Sequence, residues 1–295
     1  MEIVTRIPRM REISREIRLG AAEGGPAGVP PRRLGLVPTM GALHEGHLSL
    51  VRHARERTGV VVLSVFVNST QFAAGEDFER YPRDLARDAG LAAGEGVDFV
   101  FAPAPGDVYP PGFRTFVEVE GVSSLLEGAS RPGHFRGVAT VVLKLFEVVS
   151  PDWAVFGAKD WQQTVVVRRM VKDLNLPVEL FVAPTVREPD GLAMSSRNAY
   201  LSPDERRAAL VLRRSLDEAQ RLHAAGGRDA ARIEAAVRKV IDAEPLAATD
   251  YAVVVDPETL EPPGRLGGPA LVALAVRIGK TRLIDNELLG ERSSR

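Results

Sequence analysis

The sequence predicts an α/β protein: a parallel sheet in a larger N-terminal domain, followed by a smaller α+β domain. Two observations predict it. Short apolar segments, LGLVPTM at 34–40, GVVVLSVFVN at 59–68 and VDFVFAP at 97–103, alternate with helical stretches, the pattern of a parallel sheet with helical crossovers. After Glu188–Asp190 that rhythm stops, and two longer helical stretches and then strands take over. A break there divides the chain into expected domains 1–187 and 188–295.

Taken in order, Ile7 to Arg18 has a helical pattern, and a Gly/Pro-rich loop follows at 20–31. The strand at 34–40 leads through a turn beginning at Gly41 to a helix read from His47. The strand at 59–68 precedes a helix near 83–95. The strand at 97–103 is followed by a helix from Gly133 to about Val149. WAVFG at 153–157, a helix from about Asp160 to Leu174 and VELFVAPTV at 178–186 complete the first domain. In the second, Ser202-Pro203-Asp204-Glu205 is a helix start with a Ser cap, Pro at the first position and Glu to close the box. One long helix to about Ala225 and another from Asp229 to Ala243 are expected, with strands from 250–256 and 270–285.

The chain has 295 residues, a formal charge of -1 and 45% apolar residues, ordinary for a globular protein. It shows neither the basic excess of a nucleic-acid binder nor an apolar run of membrane-span length. There is no cysteine, which excludes disulfides, thiolate nucleophiles and Cys-based zinc sites. The charged N-terminus has no signal-peptide core, and the expectation is a cytoplasmic protein.

PTMGALHEGH at 38–47 is the strongest chemical signal. It lies where a strand gives way to a helix, the ligand crevice of an open α/β sheet, and a helix N-terminus suits phosphate. Gly41 and Gly46 admit a ligand close to the backbone. His44 and His47, three apart, share one side of a first turn. Histidines so spaced also chelate metals, but the sequence offers no third ligand.

DGLAMSSRNAYLS at 190–202 places Ser195, Ser196 and Arg197 in a row, donors suited to phosphate, or a polar loop before the helix cap. In FGAKDWQQ, Lys159 and Asp160 follow a strand end, and Gln163 suits a small polar substrate. Asn68 and Gln71 close another strand and suit hydroxyl groups. Arg131 and His134 begin a helix and are read either as an anion site or as structural groups.

Together these segments, with YPR at 81–83, RPGHFRGVATVV from 131, TVREPDGLAMSSRN at 185–198 and RIGKTRLIDN at 277–286, resemble the pantoate–β-alanine ligase family within the HIGH-motif nucleotidyltransferases. The similarity runs from about Leu34 to Asn286. It implies a Rossmann-like N-terminal domain, a smaller domain hinged over the site, and a homodimer. It implies ATP-dependent joining of (R)-pantoate and β-alanine through a pantoyl adenylate, releasing AMP and pyrophosphate. ATP is then expected along Met40, Gly41, Ala42, Leu43, His44, Glu45, Gly46 and His47. Further ATP contacts are expected on Gly157, Ala158, Lys159 and Asp160, against Val186, and under Met194, Ser195, Ser196 and Arg197. Pantoate falls to Gln71 and Gln163, its methyl groups to Pro38, Met40 and Phe66, and β-alanine also to Gln71. Asp88 matches a position linked to magnesium, and His47 one described as a proton donor. Ala158 stands where the family commonly has Glu, Ser69 where it has Pro, and the 20–31 loop is longer than usual. The nearest alternative is an adenylyl or cytidylyl transferase acting on a phosphorylated acceptor. Gln71 and Gln163 speak against it, since such an acceptor favours cationic partners.

Overall fold

The central strands of the N-terminal sheet are apolar on both faces, because both faces are covered. The computed structural model describes residues 1–22, 33–73 and 75–290. Most of the Gly/Pro-rich loop expected at 20–31 lies outside these residues. The strands are β1 (Glu2–Val4), β2 (Leu34–Thr39), β3 (Val60–Val65), β4 (Phe99–Phe101), β5 (Trp153–Gly157) and β6 (Glu179–Ala183). They form a six-stranded, all-parallel sheet in the order β1-β4-β3-β2-β5-β6. The helices are α1 (Ile7–Ala22), α2 (Glu45–Arg57), α3 (Leu85–Gly94), two short ones, α4 (Pro105–Val108) and α5 (Leu126–Ser130), then α6 (His134–Val149) and α7 (Trp161–Asp173).

Period-two alternation explains the VVVL run of β3. Val60 and Val62 enter one core with Leu34, Leu36, Val138 and Val142. Val61 and Leu63 enter the opposite core with Val37, Leu50, Val51 and Ala54. A strand buried on both faces has no polar side to show, which is why the run reads as continuous. The chain adds β3 and β4 on one side of β2, then returns to place β5 on its other side. The order therefore reverses between β2 and β5, and ligands bind beyond the carboxyl ends of strands at such a point. The expected Rossmann-like parallel sheet is present.

The second sheet is antiparallel, β7 (Ala247–Val255), β8 (Ala270–Ile278) and β9 (Thr281–Leu289) in that order. Three helices, α8 (Pro203–Ala209), α9 (Val211–Ala224) and α10 (Ala230–Asp242), accompany it. Leu212, Leu216, Ile233, Val237 and Ile241 pack with Val272, Leu274 and Val276. The Ser202–Glu205 capping box forms as expected, with the Ser202 amide donating to Glu205 Oε2 at 2.8 Å.

The chain divides into two compact units, residues to 158 with 166–184, and 159–165 with the chain from 185 onward. Two helix expectations change. The helix expected to run unbroken from Ser202 to about Ala225 is two helices, because Leu210, at ψ -11, ends α8 and opens α9; no Gly or Pro marks the place. The helix read from His47 begins at Glu45. The 270–285 segment is a hairpin whose turn uses Gly279 at φ +57, and its second strand runs on to Leu289. β1 carries no alternating pattern and was not expected.

Candidate active site

The turn after β2 is held by a short set of backbone contacts. Thr39 Oγ1 donates to the Ser64 carbonyl at 2.7 Å and accepts the Gly41 amide at 3.1 Å. The chain then takes two left-handed residues, Gly41 at φ +83 and Ala42 at φ +52. The second is costly for a residue with a Cβ. Asp88, on α3 and 1% exposed, accepts the Ala42 amide at 2.9 Å and the Leu43 amide at 2.8 Å. Leu43 is buried in the core beneath.

His44 caps α2 and His47 is its third residue. The His44 amide donates to His47 Nδ1 at 3.4 Å, so neutral His47 carries its proton on Nε2. The two rings lie 4.1 Å apart between centroids. Glu45 and Gly46 open the helix, and amides at those positions have no acceptor within it. The terminus thus presents first-turn amides and two imidazoles. Met40 and Gln71 meet here too, Gln71 Nε2 donating to Met40 Sδ at 3.2 Å.

Gln71 ends the 3-10 turn Ser69–Gln71, and the groups around it are closely fixed. Asn68, 1% exposed, donates to Gln71 Oε1 at 3.0 Å and to the Gly137 carbonyl at 3.1 Å. Its Oδ1 accepts Thr70 Oγ1 at 2.9 Å and Tyr109 Oη at 2.8 Å. A Cβ on Gly137 would sit 2.3 Å from the Thr70 carbonyl oxygen, so glycine there lets α6 approach the turn. Ser69, where the family commonly has Pro, is exposed. Phe66 is buried, and Pro38 and Met40 are half-buried.

Arg131 and His134 are both engaged by groups of the chain itself. Arg131 forms a two-toothed pair with Glu76, both contacts at 2.6 Å. It also donates to the Gln71 carbonyl at 3.2 Å, beside the 2.8 Å contact of His134 Nδ1. Burial, and then the Arg131 charge, push the His134 pKa down to about 4. Burial works against the Glu76 carboxylate, yet Arg131 holds its pKa below the ordinary value. A neutral imidazole and a paired guanidinium fix the backbone of Gln71.

β5 ends at Gly157, and Ala158 opens the 3-10 turn that carries Lys159 and Asp160. In the second unit Lys159 Nζ lies 3.8 Å from Asp160 Oδ1, and the Lys159 carbonyl accepts Asn286 Nδ2 at 2.8 Å. Gln163 is half-buried in the first turn of α7.

The 185–198 segment doubles back on itself. Arg187 bridges to Ala193, and the Met194 amide donates to the Val186 carbonyl at 3.0 Å. Arg187 pairs with buried Asp285 at 2.7 and 3.1 Å. Asn198 Nδ2 donates to Glu188 Oε1 at 2.7 Å and to the Ala193 carbonyl at 3.1 Å. Ser195 Oγ accepts the Arg197 amide at 3.3 Å and caps the turn of Ser196–Tyr200. Met194, Ser195, Ser196 and Arg197 are all half-buried. Sequence reasoning assigned no role to Asp285, Asn286, Glu188, Asn198 or Tyr109. Asp285 and Asn286 stand in the RIGKTRLIDN motif, the one signal that pointed near them.

Comparison with known proteins identifies the family of the chain. The sequence model of one family, Pantoate-beta-alanine ligase, matches residues 2–288. The chain belongs to the pantoate–β-alanine ligase family. A pantothenate synthetase of Pelotomaculum thermopropionicum is 57% identical over 260 residues, 88% of this chain and 92% of that protein. The crystal structure of pantothenate synthetase from Thermus thermophilus is 47% identical, with a TM-score of 0.90 over 99% of this chain and 100% of that one. The pantoate-beta-alanine ligase of Francisella tularensis, solved with beta-gamma ATP and beta-alanine, is 33% identical with a TM-score of 0.77, over 98% and 97% of the two chains. As a pantoate–β-alanine ligase, the chain is an enzyme of the ATP-dependent ligation of pantoate and β-alanine to pantothenate. Family membership sets aside the transferase alternative. Among the described residues no helix is long and apolar enough to cross a membrane.

Proposed function

We propose that the ligation runs in two steps on the groups described above. The pantoate carboxylate attacks the α-phosphorus of ATP and pyrophosphate leaves. The β-alanine amine then attacks the acyl carbon of the pantoyl adenylate and AMP leaves, forming the amide. The observation that carries this reading is the β2–α2 turn, where two imidazoles stand at a helix N-terminus beyond the central strand. Negative charge spreads over phosphoryl oxygens in the first step, so fixed donors matter most.

In this proposal Met40, Gly41, Ala42, Leu43, His44, Glu45, Gly46 and His47 line ATP, as do Gly157, Ala158, Lys159, Asp160, Val186 and Met194. His44, His47, Lys159, Ser195, Ser196 and Arg197 stabilise the phosphates as charge develops. Ala158 supplies no side-chain acceptor where the family commonly has Glu, so that contact is missing while Lys159 and Asp160 remain beside it. Gln71 and Gln163 hold pantoate, with Asn68 aligning Gln71, and Pro38, Met40 and Phe66 pack its methyl groups. A homodimer and a lid role for 188–295 belong to the same proposal.

Magnesium is implied by the resemblance, but these residues do not build a protein cage for it. Among the described residues no three His, Asp or Glu side chains converge, and both Asp88 oxygens accept backbone amides. Magnesium typically binds substrate phosphates and water with few protein ligands, and no step here is routed through it.

Pantoate labelled with 18O in its carboxylate tests the two-step reading. One label atom per turnover is expected in AMP. Unlabelled AMP, or ADP as product, contradicts it.

A further inference from the structure

The geometry points to Asp88 as a positioning residue for the β2–α2 turn, and not as a metal ligand. The inference rests on the reading just given, in which that turn handles the ATP phosphates.

Four observations carry it. The two Asp88 oxygens take adjacent amides separately, Oδ2 from Ala42 at 2.9 Å and Oδ1 from Leu43 at 2.8 Å. Arg87, the next residue back on α3, donates to the Leu43 carbonyl at 3.1 Å. Leu43 is therefore held at both its N–H and its C=O from one helix, directly before His44. Asp88 is 1% exposed, whereas a cation carried on phosphates needs a ligand open to the substrate. The Arg87 guanidinium lies 3.6 Å from Asp88 Oδ1, so a divalent cation on that oxygen would face a positive charge already in place.

The turn itself is shaped for this contact. A Cβ on Gly41 would meet Asp88 Oδ2 at 2.8 Å, so the carboxylate comes this close because residue 41 is glycine. Ala42 is left-handed at φ +52, a conformation that persists where surrounding contacts over-determine it. Asp88 supplies such a contact on the Ala42 amide itself. It also consumes the two amides before His44, whose own amide is taken by His47, so the backbone donors offered to phosphate begin with Glu45 and Gly46 in the first turn of α2. In this role the acidic group sets the entry angle of the helix and the placement of His44 and His47.

The test compares full-length wild type with Asp88→Asn and Arg87→Ala, varying ATP, pantoate and magnesium separately, well below each protein's unfolding temperature. Asn keeps the shape but turns an NH2 group towards one of the two amides. Misplacing catalytic groups by about 1 Å costs up to about 100-fold in rate. Asp88→Asn is therefore expected to lower kcat by about 10- to 100-fold and raise the ATP KM, with the magnesium concentration for half-activation within about twofold of wild type. Arg87→Ala keeps the carboxylate. It is expected to shift kcat and ATP KM in the same direction by less, again with magnesium half-activation unchanged. Were Asp88 a metal ligand, Asp88→Asn would raise the magnesium requirement and recover kcat at saturation. Arg87→Ala would then tighten magnesium binding, and either result overturns the proposal. A fall in kcat that only follows the folded fraction, at unchanged ATP KM, overturns it too. Failure of wild type to form pantothenate would count against the functional reading, not against this assignment.

Discussion

The side-chain amide of Asn286 donates to the carbonyl of Lys159 at 2.8 Å, across 127 positions of sequence. The adjacent Asp285 pairs with Arg187 at 2.7 Å. Neighbouring residues on β9 thus anchor two segments assigned to ATP. Lys159→Ala is expected to cost about 100- to 1,000-fold in kcat, the effect of losing a donor that acts on developing charge. Asn286→Ala is expected to lower kcat in the same direction by less, because Nζ remains but its backbone is freed. Steady-state kinetics on both variants checks this. Normal turnover of Lys159→Ala would remove it from the site.

His44→Ala and His47→Ala are each expected to lower kcat/KM by about 100- to 1,000-fold, or about 3–4 kcal/mol in transition-state stabilisation. Because the His44 and His47 side chains close a reciprocal capping box, each substitution also removes a capping contact, and both unfolding midpoints should fall. Kinetics and thermal unfolding on the same samples separate the two effects.

Gln163→Ala should raise the pantoate KM more than the ATP KM. Equal rises in both would argue against its assignment to pantoate.

Gly137→Ala should destabilise the first unit and weaken pantoate binding together. The added Cβ would lie 2.3 Å from the Thr70 carbonyl, and such overpacking typically costs about 1–3 kcal/mol. Displacing that turn displaces Asn68 and Gln71. Urea unfolding and the pantoate KM report the two consequences, and an unchanged pantoate KM would uncouple Gly137 from the site.

His134 predicts a pH dependence of stability. Its pKa is about 4 in the folded chain against an ordinary 6.5. Between these values the unfolded chain binds a proton that the folded chain does not, so stability rises with pH across that window. The contribution is complete above about pH 6.5 and lost as pH falls towards 4, and is worth roughly 3 kcal/mol. His134→Gln should flatten the stability profile between pH 6.5 and 4. An unchanged slope would mean that another group titrates there.

The parallel sheet and the chemical turns were legible because their causes are local. A strand buried on both faces reads as an apolar run, and Gly41 ahead of His-x-Gly-His marks the strand-to-helix turn. The break at Leu210 was not legible, since neither it nor its neighbours is Gly or Pro. The roles of Asp88 and Asn286 were hidden for another reason. Each acts on the backbone of a distant segment, 45 positions away for Asp88 and Leu43, and a backbone amide or carbonyl leaves no mark in the sequence. Arg131 and His134 looked able to attract an anion, and only Glu76 and the Gln71 carbonyl show why that charge is already engaged.

The central claim is that pantoate is activated on ATP before the amine reacts. The most direct measurement mixes the enzyme with magnesium, ATP and labelled pyrophosphate, with and without pantoate, and omits β-alanine. Label is expected to appear in ATP only when pantoate is present, since reversal of the first step requires the adenylate. No exchange, from protein that binds ATP and makes pantothenate when all substrates are supplied, would contradict the two-step account.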